Sequence, residues 1–206
     1  MSGMRSINRL IVLAAFVAAS VSCGDVVRQG HSPVLLVINS LQAAQGSKPA
    51  SFFSGLNSDV ITNVTSPAPC TASTPCPTIF NDLGQVVLAV VMKDISVTPS
   101  SNNQVTISRY HVEFVRSDGR NVQGVDVPFA FDGATSATIA AGATSTIGFE
   151  LVRFLAKQES PLVQLVQNPI EIATVANITF YGTDIVGNQV SIMGSITVDF
   201  ANFGDQ

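Results

Sequence analysis

The sequence predicts an all-β protein whose strands form a β-sandwich. Val, Ile and Thr are frequent, and 15 Gly and 10 Pro interrupt the chain at short intervals, a profile that is typical of strands joined by turns. About eight short apolar or alternating segments are separated by turn signals, which favours two stacked sheets. Charged residues make up only 12% of the chain, against about 25% in an average domain.

The end of the chain has the clearest strand pattern. From Val190 to Phe200 the even-numbered residues are apolar apart from Gly194, and the odd-numbered residues are polar apart from Met193. This alternation predicts a half-buried strand, with a bulge or close backbone packing at Gly194. Its predicted partner is the segment 176–183, which is reached across a turn.

The other elements are predicted from apolar runs and a change of phase. The run 86–92 predicts a central strand buried on both faces, which continues through Ile95 and Val97 to a turn. Within 104–117 the apolar residues change from odd to even numbers, which predicts a β-bulge near Ser108–Arg109. The remaining predicted strands are 33–38, 60–64, 135–140 and 144–155, the long loops are 41–55 and 120–134, and a short helix is predicted over 161–167.

The hairpin over 178–190 carries a resemblance to a known fold. Its sequence, Ile-Thr-Phe-Tyr-Gly-Thr-Asp-Ile-Val-Gly-Asn-Gln-Val, resembles the last two strands of bacterial immunoglobulin-like and fibronectin-III-like domains. The resemblance implies an immunoglobulin-like β-sandwich over 33–206 with long decorated loops and one short helix. The chain has no Trp and lacks the Cys…Trp…Cys core of antibody domains, which leaves the exact topology open.

The first 23 residues predict export. Arg5 and Arg9 precede an unbroken apolar run over 10–19, which ends in small residues and Cys23. A basic head, a short apolar core and small residues at the cleavage site are typical of a secretory signal. The apolar run is shorter than the roughly 20 residues that a membrane span needs.

Val21, Ser22 and Cys23 resemble the last three positions of a bacterial lipobox. In lipoproteins of that class the Cys is diacylated and becomes the N-terminal residue. The resemblance implies a signal peptide over 1–22, a lipidated Cys23 with a tether over 23–32, and a lipid-anchored place in the cell envelope, facing the periplasm or the exterior. Ser20 stands where an aliphatic residue is usual, so an ordinary signal cut near 18–20 and a freely secreted protein remain the alternative.

Cys70 and Cys76 lie in a loop that contains four prolines, 66–77. If Cys23 is lipidated, these two form an even pair, and in an oxidising compartment we expect a disulfide between them. The bond closes a small loop and is expected to stabilise the protein by about 2 kcal/mol. A metal or redox pair is the alternative, but the spacing is not C-x-x-C and no His is nearby.

His111 and Glu113 are the residues that come closest to a catalytic or metal-binding pair. They lie two positions apart on one face of a predicted strand, so they could ligate a metal or act as base and orienting group. The even-numbered residues of that strand form its apolar set, so we interpret the pair as part of an exposed charged stripe. The other histidine, His31, lies in the predicted tether. Motifs of serine hydrolases, zinc proteases, phosphate loops and dinucleotide sites are absent from the sequence, and no catalytic, cofactor-binding or metal-binding residue is predicted.

Four acidic residues in predicted turns leave calcium binding open: Asp118, Asp126, Asp132 and Asp184. Calcium takes six to eight oxygen ligands from loops of this kind. These residues are dispersed along the chain, and Asp is also an ordinary turn residue, so the sequence does not decide between the two interpretations.

The charge balance limits the partners that the protein could have. Removal of 1–22, which holds two Arg, leaves 8 basic and 14 acidic residues and a net charge of −6. This argues against nucleic-acid binding and against attraction to anionic lipid heads. The signal, the tether, the strand pattern and the absence of catalytic motifs lead us to expect a non-enzymatic structural or binding module of the envelope. It would contact the membrane through its lipid and a protein or polysaccharide through the loops 43–58 and 120–134. The alternative is a secreted or envelope hydrolase or carbohydrate-active domain that uses a pair of carboxylates.

Overall fold

The protein is all-β in the part of the chain that its computed structural model describes, residues 30–204. The predicted signal peptide and Cys23 lie outside the described residues. Two short 3₁₀ helices, Leu155–Gln158 and Leu162–Val166, interrupt the strands. The strands are β1 Val34–Ala44, β2 Gly55–Asp59, β3 Thr62–Val64, β4 Cys76–Thr78, β5 Asp82–Met92, β6 Gln104–Val115, β7 Phe131–Ala140, β8 Thr144–Val152, β9 Ile172–Asp184 and β10 Gln189–Ala201.

The strands form two main sheets and one small ribbon. One sheet has the order β1-β5-β8, the other has the order β2-β10-β9-β6-β7, and β3 pairs with β4. Every pair is antiparallel except β2 with β10, which is parallel. Between β1 and β2 the chain therefore leaves the edge of the three-stranded sheet and joins the edge of the five-stranded sheet.

The apolar core lies between the two main sheets, and aromatic rings connect them. The ring of Phe149 on β8 lies 5.2 Å from that of Tyr110 on β6 and 5.3 Å from that of Phe180 on β9, centroid to centroid. The Tyr110 hydroxyl accepts a hydrogen bond from the backbone N–H of Glu150 at 3.1 Å, which satisfies its polar atom inside the core. Burial raises the pKa of Tyr110 above its ordinary value, because the charged phenolate is disfavoured away from water.

Two local predictions from side-chain alternation are confirmed. The pairing of β6 with both of its neighbours shifts register between Ile107 and Arg109, which is the predicted bulge. β10 pairs with β9 from Gln189↔Thr183 to Phe200↔Ile172, as the terminal hairpin predicts. A Cβ on Gly194 would lie 2.7 Å from Cδ1 of Ile38, so close packing, the second of the two options, explains this glycine.

Other predicted boundaries are wrong. β1 extends to Ala44, inside the predicted loop 41–55, and the predicted strand 60–64 keeps only β3. β5 ends at Met92 and does not continue through Ile95 and Val97. It buries every second side chain, so the core covers one face of this strand, whereas burial of both faces was predicted. Ile95 lies in a turn and is exposed. The predicted strand 144–155 ends at Val152, and the predicted helix 161–167 is one of two 3₁₀ helices.

The strand directions give the two sheets distinct ends. The N-terminal end is formed by residues 30–33, the loop 93–103 and the turns 141–143 and 185–188. The far end is formed by the loops 45–54 and 116–130, the β3–β4 ribbon, the 3₁₀ segment and residues 202–204. The register places Met92 beside Val34 at the first end and Asp82 beside Val152 at the second.

Candidate functional site

His111 and Glu113 lie on the outer face of β6. His111 Nδ1 is 3.2 Å from Asp132 Oδ1 on β7, and Arg109 Nη1 is 3.3 Å from the same oxygen. The Arg109 guanidinium also stacks over the Tyr181 ring at 3.9 Å. Glu113 is exposed. The arrangement is the charged outer stripe of a sheet, and the contact with Asp132 was not predicted.

Asp118 and Asp126, two of the four acidic turn residues, use their carboxylates within their own loops. Asp118 accepts hydrogen bonds from Arg116 and from Arg120, at 2.6 Å and 3.0 Å, and the contact with Arg116 is the main cause of its strongly lowered pKa. Asp126 accepts the N–H of Val122 at 3.2 Å. Within residues 30–204, no three His, Cys, Asp or Glu side chains come together as a metal-binding group.

The predicted disulfide between Cys70 and Cys76 is confirmed, with the two Cα atoms 5.3 Å apart. Val64 pairs with Cys76 in the β3–β4 ribbon. The disulfide therefore closes the loop that projects from this ribbon at the far end. This position is consistent with a structural role, since the disulfide holds the loop against the strand that begins at Cys76.

Two cavities lie on either side of the turn 45–48 at the far end. Their volumes are about 300 Å³ and about 270 Å³. Gln45 and Lys48 line both cavities, and Phe53 stands at the first with 65% of its surface exposed. The second is lined mainly by hydroxyl and amide side chains: Gln45, Ser47, Thr62, Asn63, Thr65 and Ser66. This chemistry suits a polar, hydrogen-bonding ligand, and the first cavity falls in the predicted partner loop 43–58.

A buried ion pair holds the turn between the cavities. Lys157 Nζ lies 2.8 Å from Asp82 Oδ2, and both side chains are at most 2% exposed. The other oxygen of Asp82 accepts the Gly46 N–H at 2.9 Å, and the Ser58 hydroxyl donates to Oδ2 at 2.6 Å. All polar neighbours of the carboxylate thus come from different segments, so Asp82 ties the turn 45–48 to β2 and to the 3₁₀ segment.

The same lysine joins the pair to the wall of the second cavity. Lys157 Nζ donates to the carbonyl oxygen of Asp59 at 2.8 Å. The Asp59 side chain accepts the Phe203 N–H and the Thr62 hydroxyl, both at 3.2 Å. Asp59 is the only carboxylate among the residues that line these two cavities.

Sequence reasoning missed this network. Lys157 and Asp59 are 98 positions apart, and Lys157 stands next to Ala156 in a segment that reads as an apolar stripe. The sequence contains only three lysines, at positions 48, 93 and 157. Their scarcity draws attention to Lys157 but does not indicate which residue it pairs with.

The second predicted partner loop, 120–134, also reaches the far end but at a different edge. Residues 120–130 precede β7 and 131–134, predicted as loop, belong to it. The cavities lie beside β2, which is the opposite edge of the five-stranded sheet. Val122, Val125 and Phe129 are exposed on this loop. The two predicted loops therefore form separate surfaces.

No protein-family model matches the chain, and no curated protein matches it either. Among residues 30–204, no helix has the length and apolar character that crossing a membrane requires.

Proposed function

We propose that this protein is an exported lipoprotein, diacylated at Cys23, whose domain is a non-enzymatic binding module of the cell envelope. The observation that carries the proposal is the separation of residues 30–33 from the two cavities beside the turn 45–48. Residues 30–33 join one end of the sheets, and the turn 45–48 lies at the other. A lipid on Cys23 therefore holds the first end towards the bilayer and presents the cavities to the surrounding space.

An immunoglobulin-like β-sandwich is part of the proposal, and the strand order supports it. In that fold strands A, B and E share one sheet, and C, F and G share the other. β1, β5 and β8 have the places of A, B and E, whereas β6, β9 and β10 have those of C, F and G. β7 then corresponds to the C′ strand of variable-type domains.

The partner we propose is an envelope protein or polysaccharide that binds at the cavities beside Lys48. Hydroxyl and amide groups around the second cavity offer hydrogen bonds, and Phe53 offers an apolar contact next to them. The one carboxylate there, Asp59, is engaged with Phe203 and Thr62. A carboxylate pair of the glycosidase type needs two such groups, which favours binding over hydrolysis.

The anchor is tested by the mass of the N-terminal peptide of the mature protein from the membrane fraction. A diacylglyceryl-modified Cys23 supports the proposal. An unmodified N-terminus near Ser20 or Val21, recovered from the soluble fraction, contradicts it.

The binding surface is tested by photocrosslinking in intact cells. A photoreactive residue at Phe53 should capture one defined partner, and the capture should weaken in Lys48→Ser. The matched control is Met193, which is 60% exposed on β10 and should capture nothing specific. Combined replacement of His111 and Glu113 by Ala should leave capture unchanged. Equal capture from Phe53 and Met193 would contradict the proposed surface.

A further inference from the structure

Apolar side chains stand at the tips of two loops at the N-terminal end. Ile95 is 98% and Val186 is 76% exposed, and Val97 and Ile185 beside them are also exposed. Both tips are turns: Val97 N–H donates to Asp94 O at 3.2 Å, and Gly187 N–H donates to Asp184 O at 3.0 Å. Exposed apolar residues that cluster at one end mark an interaction surface more often than scattered ones do.

These two loops contact the segment through which the chain reaches the domain. Lys93 N–H donates to Pro33 O at 2.9 Å, and Lys93 Nζ donates to Gly30 O at 3.4 Å. Ser32 is buried, and its side chain helps to lower the pKa of the Asp184 carboxylate. Residues 30–33, of which 30–32 fall in the predicted tether, therefore lie against both apolar loops.

The length of chain between Cys23 and Gly30 limits how far this end can lie from a lipid on Cys23. Seven residues span at most about 25 Å when fully extended. The far end lies further away by the length of the strands, and a 13-residue strand such as β9 adds about 40 Å. The apolar residues of the N-terminal end are therefore within reach of the bilayer, and they are the ones nearest to the lipid along the chain.

We propose that the N-terminal end rests on the lipid surface, with Ile95 and Val186 inserted among the headgroups. The inference rests on the proposed lipidation of Cys23 and adds the orientation of the domain. The loops carry Lys93 beside Asp94, so the contact is apolar and independent of anionic lipids. The cavities at the far end then face away from the membrane.

The test uses the mature acylated protein reconstituted in phosphatidylcholine vesicles. Ile95→Cys and Val186→Cys are labelled with an environment-sensitive fluorophore, since acylation of Cys23 and the disulfide leave no other thiol. The control is Val125→Cys at the far end, where the native Val125 is 65% exposed. We expect a blue shift and quenching by lipid-borne quenchers at 95 and 186 and neither at 125, with the same result after addition of anionic lipid.

Two outcomes would overturn the inference, and they are distinguishable. If the vesicle-bound protein gives water-like emission at all three positions, the domain does not rest on the lipid, although the anchor stands. If the mass of the N-terminal peptide shows an unmodified Cys23, the proposed function fails and the orientation fails with it.

Discussion

Replacement of Lys157 by Met should destabilise the protein more than any other single change at a lysine. Methionine keeps most of the unbranched stem of the side chain but removes the ammonium group, so packing changes little. Asp82 then loses the group 2.8 Å from its Oδ2 while remaining buried. Asp59 O also loses its donor.

The expected magnitude follows from what remains around Asp82. Removal of one member of a buried ion pair costs about 3–5 kcal/mol, because the remaining charge is left uncompensated. Gly46 N–H and the Ser58 hydroxyl still donate to Asp82, so we expect the lower limit, about 3 kcal/mol. With a urea dependence of about 2–3 kcal/mol/M, the unfolding midpoint should fall by about 1–1.5 M.

Urea denaturation followed by circular dichroism measures this change. Lys48→Met is the matched control, because Lys48 is exposed and its replacement should change stability by less than about 0.5 kcal/mol. The double variant Lys157→Met/Asp82→Asn should be more stable than Lys157→Met alone, since position 82 then carries no uncompensated charge. A cost below about 1 kcal/mol for Lys157→Met, or additive losses in the double variant, would refute the reasoning.

Three further predictions concern glycine packing, the disulfide and the response to acid. Gly46→Ala should lower the free energy of unfolding by about 1–3 kcal/mol, because the new Cβ would collide with the main chain of the segment before β5. The control is Gly148→Ala, whose Cβ would meet nothing within 4 Å and which should leave stability unchanged in the same urea assay. Replacement of Cys70 and Cys76 together by Ser should lower the free energy of unfolding by about 2 kcal/mol, and an unchanged midpoint would contradict a stapling role. Burial opposes ionisation of Asp184, but hydrogen bonds outweigh this effect and lower its pKa. The ionised carboxylate therefore stabilises the folded state at pH values above the ordinary aspartate pKa of 3.8. This contribution is lost as the pH falls through the lowered pKa. The stability difference between the native protein and Asp184→Asn, measured by urea denaturation from pH 7 to pH 2.5, should shrink below pH 4, and a difference that grows there would contradict the assignment.

The features that the sequence predicted correctly are those set by neighbours along the chain. The bulge at Ser108–Arg109 follows from a change of phase within one strand, because successive side chains point to opposite faces. The hairpin of β9 and β10 follows from the same alternation on two adjacent strands. The disulfide joins cysteines separated by six positions, so its pairing needs no knowledge of the fold.

The boundaries and contacts that the sequence did not predict depend on segments that meet only after folding. β1 continues to Ala44 because β5 pairs with it along its whole length, whereas the local composition of 41–44 resembles a loop. β2 exists because its backbone finds a parallel partner in β10, and its five residues show no clear alternation.

The sequence by itself therefore determined the all-β class, the terminal hairpin, the bulge and the disulfide. Only the tertiary structure decided that Lys157 and Asp82 form a buried pair beneath the turn 45–48, and that the two cavities beside this turn lie at the end opposite residues 30–33. The physical reason is the range of the interactions involved. Alternation and turn chemistry act over a few residues, whereas a buried charge is tolerated only where distant segments supply its partner and its hydrogen bonds.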